Sequence, residues 1–195
     1  MTKTSRPSLS RPAPPSSGVL FDELLVVMVQ QGDRRALDRL HMRWDTRLIR
    51  AAYRYTGDAD LARDLAQDCW IGIWKGIAGL RNPARFRSYA FAILHRRGAS
   101  HVRSSIRDRD HVEELSQETA QTASQDGRIA IQQAFAALPP DQRLAAHLHF
   151  VEGLTLAEIA EVQSIPTGTA KSRLFHARRK LKAALNPDCF EGELP

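Results

Sequence analysis

Apolar residues recur at steps of three and four along most of this chain, without strand-like alternation of useful length, so helices are expected throughout. Leu37, Leu40, Trp44, Leu48 and the Ala51/Ala52 pair form one stripe. Gly57 and Asp58 interrupt it, and Leu61, Leu65, Cys69, Ile73 and Ile77 make a second. A third begins after Asn82-Pro83, with Phe86, Ala90, Ile93 and Leu94 as its inner face. The pattern then fades: from Arg109 to Gly127, Asp110, Glu113, Glu114, Glu118 and Asp126 sit among Ser, Thr and Gln. Such a segment buries little and reads as a flexible acidic linker. Beyond it, Ile131, Ala134, Phe135 and Leu138 predict a short helix ended by Pro139-Pro140. Asp141 is placed to cap the next helix, which runs through Leu144, Leu148 and Val151 to a break at Gly153. Helices over Leu156 to Gln163 and about Thr167 to Leu185 complete the set, stopped by Asn186-Pro187.

The expected fold class is therefore all-α, with two small helical domains joined by a flexible acidic linker. The expected bounds are a disordered tail over 1–18, a helical domain over 19–108 and the linker over 109–127. A second domain over 128–186 and a short tail over 187–195 follow.

Charge and composition narrow the function. The formal net charge of +6 favours an acidic partner, and its clustering matters more than its size. Two cysteines, Cys69 and Cys189, lie far apart and fit a reducing cytosol rather than a disulfide framework. The longest apolar run, Leu24 to Val29, is far short of the roughly 18 residues that span a bilayer, so no membrane insertion and a cytoplasmic location are expected. The first residues carry Lys3, Arg6 and Arg11 among four prolines, without the hydrophobic centre of a signal peptide. Phosphate-binding Gly-rich loops, zinc spacing and Ser/His/Asp arrangements are all missing, so neither an enzyme nor a cofactor is expected. His147 reads as a helix-face residue, and His149 as exposed or packed.

The sharpest local signal lies near the C-terminus. Thr155 and Glu158 have capping-box spacing, Leu156, Ile159 and Ala160 face inward, and Ser164-Ile165-Pro166 makes a turn. Ala170, Leu174, Ala177 and Leu181 then give a longer helix its buried face, completing a helix-turn-helix in the second domain. That helix carries Lys171, Ser172, Arg173, Phe175, His176, Arg178, Arg179, Lys180 and Lys182, and no Asp or Glu occurs between Val162 and Pro187. Such a surface suits the major groove, where Lys and Arg address guanine edges and phosphates. A basic solvated helix closing a bundle is the plainer alternative.

The run LPPDQRLAAHLHFVEGLTLAEIAEVQSIPTGTAKSRLFHARRKLKAAL resembles the C-terminal DNA-binding domain of extracytoplasmic-function (ECF) sigma factors of bacterial RNA polymerase. The resemblance implies that this domain reads the upstream promoter element. It implies Lys171, Ser172, Phe175 and His176 at base-facing positions and Thr169, Arg173 and Arg178 at backbone-facing ones; Arg179 belongs to the later basic cluster, which by its charge suits phosphates. Gln163, Ser164 and Ala170 depart from the usual pattern, which points to a slightly looser turn.

GDRRALDRLHMRW and TGDADLARDLAQDCWIGIWKGI resemble the polymerase-binding domain of the same family. The implied docking helix carries Asp60, Asp64, Gln67 and Asp68. The aspartates step by four along one face, away from Leu61, Leu65 and Ile73. A solvated acidic face is the simpler reading. A divalent-metal site is disfavoured, since consecutive turns of one exposed helix rarely enclose an ion.

The segment RNPARFRSYAFAILHRRGASHVRSSIRDR interleaves cations with Phe86, Tyr89 and Phe91, a pattern suited to single-strand capture. The resemblance assigns it to the downstream element and its melting, with Leu80, Arg81 and Asn82 in or beside the loop that receives a flipped base. Arg85, Arg87, Tyr89, Arg96, Arg97 and Arg103 are the further candidates. Two of the three rings are expected in the core. Tyr89, Arg96 and Ser100 replace the family's usual Trp, Asn and Asp, and an amide exchanged for guanidinium moves base preference from adenine toward guanine or phosphate.

The resemblance further implies a core polymerase partner, promoter DNA as an upstream duplex and a melted downstream strand, and an anti-sigma protein in a stress or envelope response. An autonomous helix-turn-helix regulator and a sigma-like decoy acting by sequestration remain the competing readings.

Overall fold

The computed structural model describes residues 17–109 and 126–185; the tails and the linker over 110–125 lie outside that range. Eight α-helices follow in order among the described residues. The first half holds α1 (Ser17–Gln30), α2 (Arg34–Thr56), α3 (Ala59–Gly76) and α4 (Phe86–Arg109), with 3-10 turns at Ile77–Gly79 and Pro83–Arg85 between α3 and α4. The second half holds α5 (Asp126–Ala136), α6 (Pro140–Phe150), α7 (Leu156–Gln163) and α8 (Thr167–Leu185). The described residues contain no strand.

Local chemistry fixes the helix ends. Asp33 accepts hydrogen bonds from the amides of Arg35 and Ala36 to start α2, and Gly57 ends it at φ 76°, its N–H bonded to the Tyr53 carbonyl. Asp58 starts α3 in the same way as Asp33. Thr155 and Glu158 form the expected capping box, and Ser164 closes α7 in the left-handed region at φ 53°. Asp141 does not cap α6. Pro139 holds the N-cap position with no side-chain bond, and Pro140 supplies the preset φ of a first helical turn.

Trp44 is fully buried at the centre of the first half, edge-on to Phe86 at 5.1 Å and tilted against Phe91 at 5.8 Å. Around it close Leu25, Leu40, Leu48, Leu65, Ile73 and Leu94. α4 approaches α3 over small residues: a Cβ on Gly72 would lie 2.8 Å from Ile93 Cγ2, and one on Gly76 would collide with the Tyr89 hydroxyl. Two rings, Phe86 and Phe91, are buried, and Tyr89 is half-buried.

The two halves are not held apart. The main apolar cluster continues from α2 and α4 into Leu144, Ala145, Leu148, Ile159 and Val162, with α6 against α2 and α7 against α4. A smaller cluster of Ala134, Phe135, Leu138, Ala146, Ala177 and Leu181 joins α5, α6 and α8. Several stripe positions turn outward. Leu61 is 42% exposed on the outer face of α3, Ile131 is exposed on α5, and Val151 lies beyond the end of α6 and is exposed. His147, in contrast, is buried where α6 packs toward the α2 arginines.

Candidate nucleic-acid interface

α8 presents the expected cationic face. Lys171, Ser172, Phe175, His176, Arg178 and Arg179 are exposed, and Phe175 stacks edge-on to His176 at 5.5 Å. Thr169 is half-buried in the first turn, and the Ser172 hydroxyl donates to its carbonyl at 2.9 Å. Arg173 is drawn inward. It pairs with Asp141 at 2.7 Å and donates to Gln163 Oε1 at 3.0 Å, while Gln163 donates to the Asp141 carbonyl at 3.1 Å. The unusual Gln163 is therefore a buried strut between α6, α7 and α8, which tightens the reader rather than loosening it.

In the first half, the loop after α3 is held from α1. Gln30 Nε2 donates to the carbonyls of Ile77 at 2.9 Å and Leu80 at 2.8 Å. Leu80 packs against the core, Arg81 is exposed, and Asn82 is exposed and caps the next turn through the Ala84 amide at 3.1 Å. Arg96 and Arg97 are exposed farther along α4. Burial pushes the Cys69 thiol up to about 12 against the electrostatic pull of Arg97 and Arg96. Burial likewise raises the Tyr89 phenol. Arg103 belongs to α4, but its side chain, like that of Ser100, lies outside the described residues.

Arg85 and Arg87 are already engaged. Arg85 pairs with Glu161 of α7, and Arg87 donates to the Glu152 carbonyl at 2.9 Å. Ser88, buried beneath α7, bonds Glu158 at 3.3 Å. Burial works to raise the Glu158 carboxyl, but bonds from the Thr155 amide and hydroxyl outweigh it and hold the group below its ordinary range. Arg47 of α2 lies over the Trp44 ring at 4.0 Å and bonds the buried Glu152 carboxylate through Nε at 3.0 Å. Beside it a cleft is lined by Asp22, Arg43, Trp44, Arg47, Phe86 and Arg87. The Arg47–Glu152 pair gave no local signal, because its partners stand 105 residues apart in sequence.

On α3, Asp60, Asp64 and Gln67 are exposed and Asp68 is half-buried; Asp60 pairs with Arg63 one turn on. The same face continues into Ile71 and Trp74, 46% and 66% exposed, an apolar end that the spacing of the carboxylates does not signal. Among the described residues, no group of three His, Cys, Asp or Glu side chains is placed to hold a metal. No described helix is long and apolar enough to cross a membrane.

A basic helix-turn-helix beside a second basic helical face is the layout of a promoter-binding initiation factor, and the family comparisons agree. Residues 40–108 match the family model Sigma-70 region 2, and residues 128–181 match Sigma-70, region 4. The chain is thus a sigma-70 family sigma factor, a class that directs transcription without catalysis of its own. Over 182 residues it is 28% identical to the RNA polymerase sigma-H factor of Pseudomonas aeruginosa, covering 85% of this chain and 94% of that one. Over 184 residues it is 26% identical to the ECF RNA polymerase sigma-E factor of Escherichia coli K12, covering 86% and 96%. The sigma factor RpoE of Bartonella quintana, solved with the anti-sigma factor NepR, superposes with a TM-score of 0.65 at 25% identity over 78% of this chain and 98% of RpoE. CnrH, solved with the cytosolic domain of CnrY, shares the fold at a TM-score of 0.60 and 22% identity, over 86% and 99% of the two chains. Within its family the chain belongs to the ECF group.

Proposed function

We propose that α8 reads the upstream promoter duplex, that the 80–82 loop and α4 receive the melted downstream strand, and that the outer face of α3 docks on core RNA polymerase. The observation that carries this reading is the one-sided charge of α8: Lys171, Arg178, Arg179 and their exposed neighbours stand in a stretch that has no acidic residue from Gln163 to Asn186. Lys171, Ser172, Phe175 and His176 address base edges, while Thr169, Arg178 and Arg179 hold the backbone. Arg173 acts by orienting the reader through Asp141 and reaches a phosphate only by leaving that pair. Arg81, Arg85, Arg87, Tyr89, Arg96, Arg97 and Arg103 serve the downstream strand, with Leu80 and Asn82 shaping the loop. Asp60, Asp64, Gln67 and Asp68 supply the polar part of the polymerase contact, and Ile71 and Trp74 its apolar end.

The domains over 19–108 and 128–186 correspond to α1–α4 and α5–α8, with helix reaching outward to Ser17, Arg109 and Asp126, and the acidic segment between them joins the two. The protein acts in the cytoplasm, where the polymerase works. An anti-sigma protein is its natural inhibitor, as it is the bound partner of the Bartonella relative. Run-off transcription with purified core polymerase and a library of promoter fragments tests the whole. Initiation on a subset of fragments is expected; no polymerase-dependent transcript on any fragment refutes it. Asp64→Arg should lower core affinity, and unchanged affinity would remove α3 from the docking face.

A further inference from the structure

We infer that the second half of the chain is an intramolecular stand-in for DNA, whose acidic edge occupies the downstream-strand surface while leaving the upstream reader open. This rests on the reading that the α2/α4 face of the first half meets the downstream strand.

The acidic edge consists of Glu152, Glu158 and Glu161, and each meets a group on that face. Glu152 takes Arg47 with its carboxylate and Arg87 with its carbonyl, Glu158 takes Ser88, and Glu161 takes Arg85. The donors so occupied, three guanidiniums and a hydroxyl close to aromatic side chains, are groups that phosphate oxygens would otherwise engage. The match is also steric. Ser88 is 4% exposed beneath α7, and a nucleotide strand cannot share that space. Gly153, at φ 68°, turns the chain sharply between α6 and α7 and places its Cα side toward Arg87, where a Cβ would come within 4.0 Å of the guanidinium. The short turn therefore delivers Glu152 to the arginines.

The occlusion is one-sided. Lys171, Ser172, Phe175, His176, Arg178 and Arg179 all remain exposed in the same arrangement. So does Arg96, lying on α4 beyond the covered stretch. The closed chain can therefore bind upstream duplex, whereas the downstream strand, with Arg81, Asn82, Arg96 and Arg97 still open to it, reaches Arg85, Arg87 and Ser88 only when the halves part. If the open form is a minor state, its fraction divides directly into the apparent affinity for the downstream strand. Weakening the acidic edge should raise single-strand affinity without changing duplex affinity.

The test uses the full chain and two fluorescein-labelled probes, a random-sequence single-stranded 20-mer pool and a random-sequence duplex, read by anisotropy. Glu152→Gln/Glu161→Gln should bind the single-stranded pool about tenfold more tightly and the duplex within about twofold of wild type. Glu161→Gln alone, at an exposed pair, keeps the test alive if the double variant does not fold; about a threefold gain is expected. Spin labels at Ala84→Cys and Ala157→Cys, exposed positions next to the Arg85–Glu161 and Ser88–Glu158 contacts, in a Cys189→Ser background with Cys69 buried, should report one short distance in the wild-type protein and a longer population in the double variant. Equal gains on both probes would reduce the effect to net charge and overturn the proposal, as would a wild-type distance distribution that is already long. Arg96→Glu separates the two levels. If it leaves single-strand binding unchanged, the DNA reading of α4 has failed; if it weakens binding while the glutamine variants change nothing, the masking alone has failed.

Discussion

Replacing His147 by leucine should abolish a specific part of the acid sensitivity of this protein. The imidazole is 3% exposed, and neither ring nitrogen has a hydrogen-bond partner. Burial, reinforced by Arg54, Arg47 and Arg50, lowers its pKa from the ordinary 6.5 to about 4. Glu152 stands 3.8 Å from Nε2, but its carboxylate is engaged by Arg47, so the arginines prevail. As pH falls, the unfolded chain therefore takes up a proton at about 6.5, well before the folded chain does at about 4. This contribution to stability is fully present above 6.5, declines as pH falls through that window, and is exhausted below about 4. Integrated over the window, the difference amounts to roughly 3 kcal/mol, of which about 2 kcal/mol is lost between about pH 7 and about pH 4.5. Urea denaturation followed by circular dichroism measures it, with His147→Leu as the reference so that carboxylate titrations cancel. Leucine is similar in volume and leaves no buried nitrogen unsatisfied, so the variant should match or exceed wild type near neutrality. If both proteins lose stability equally between about pH 7 and about pH 4.5, the imidazole is not held neutral by burial and the reasoning fails.

Other variants probe other links. Gly76→Ala should destabilise by about 1–3 kcal/mol because the new methyl meets the Tyr89 hydroxyl, and Tyr89→Phe should recover part of that loss in a double-mutant cycle of thermal melts. Thr155→Ala removes half of the α7 capping box and should cost about 1 kcal/mol by the same measurement. Lys171→Ala should weaken upstream duplex binding, and a phosphate role would also lower the slope of log affinity against log salt by about 1. An unchanged slope together with altered base preference would instead assign Lys171 to base edges.

What the sequence made legible was mostly local. Thr155, Glu158 and the Ser164-Ile165-Pro166 turn lie within a few residues of their consequences, and α7 and α8 fall where the periodicity placed them. Leu61, Ile131 and Val151 misled because an apolar side chain in phase with a stripe is not always covered by a neighbouring element. Asp141 looked like a cap, but Arg173, brought alongside by the turn, competes for its carboxylate. Arg85 and Arg87 were legible as cations and not as paired ones, since their partners come from the other half of the chain. The docking of α6 on α2 and α7 on α4 had no local signature: it depends on which of several apolar faces meet, and the stretch between the halves carries no pattern that fixes it.

The three tryptophans sit in three different optical environments. Trp44 is sealed among Phe86 and Phe91, Trp70 is 9% exposed with its indole N–H on Asp45 at 3.0 Å, and Trp74 is 66% exposed. A soluble quencher such as acrylamide will therefore extinguish mainly the red-edge emission of Trp74, while the blue-edge emission of Trp44 persists. The outer face of α3 thus carries its own fluorophore, and a partner landing there announces itself by shielding Trp74, with no label attached.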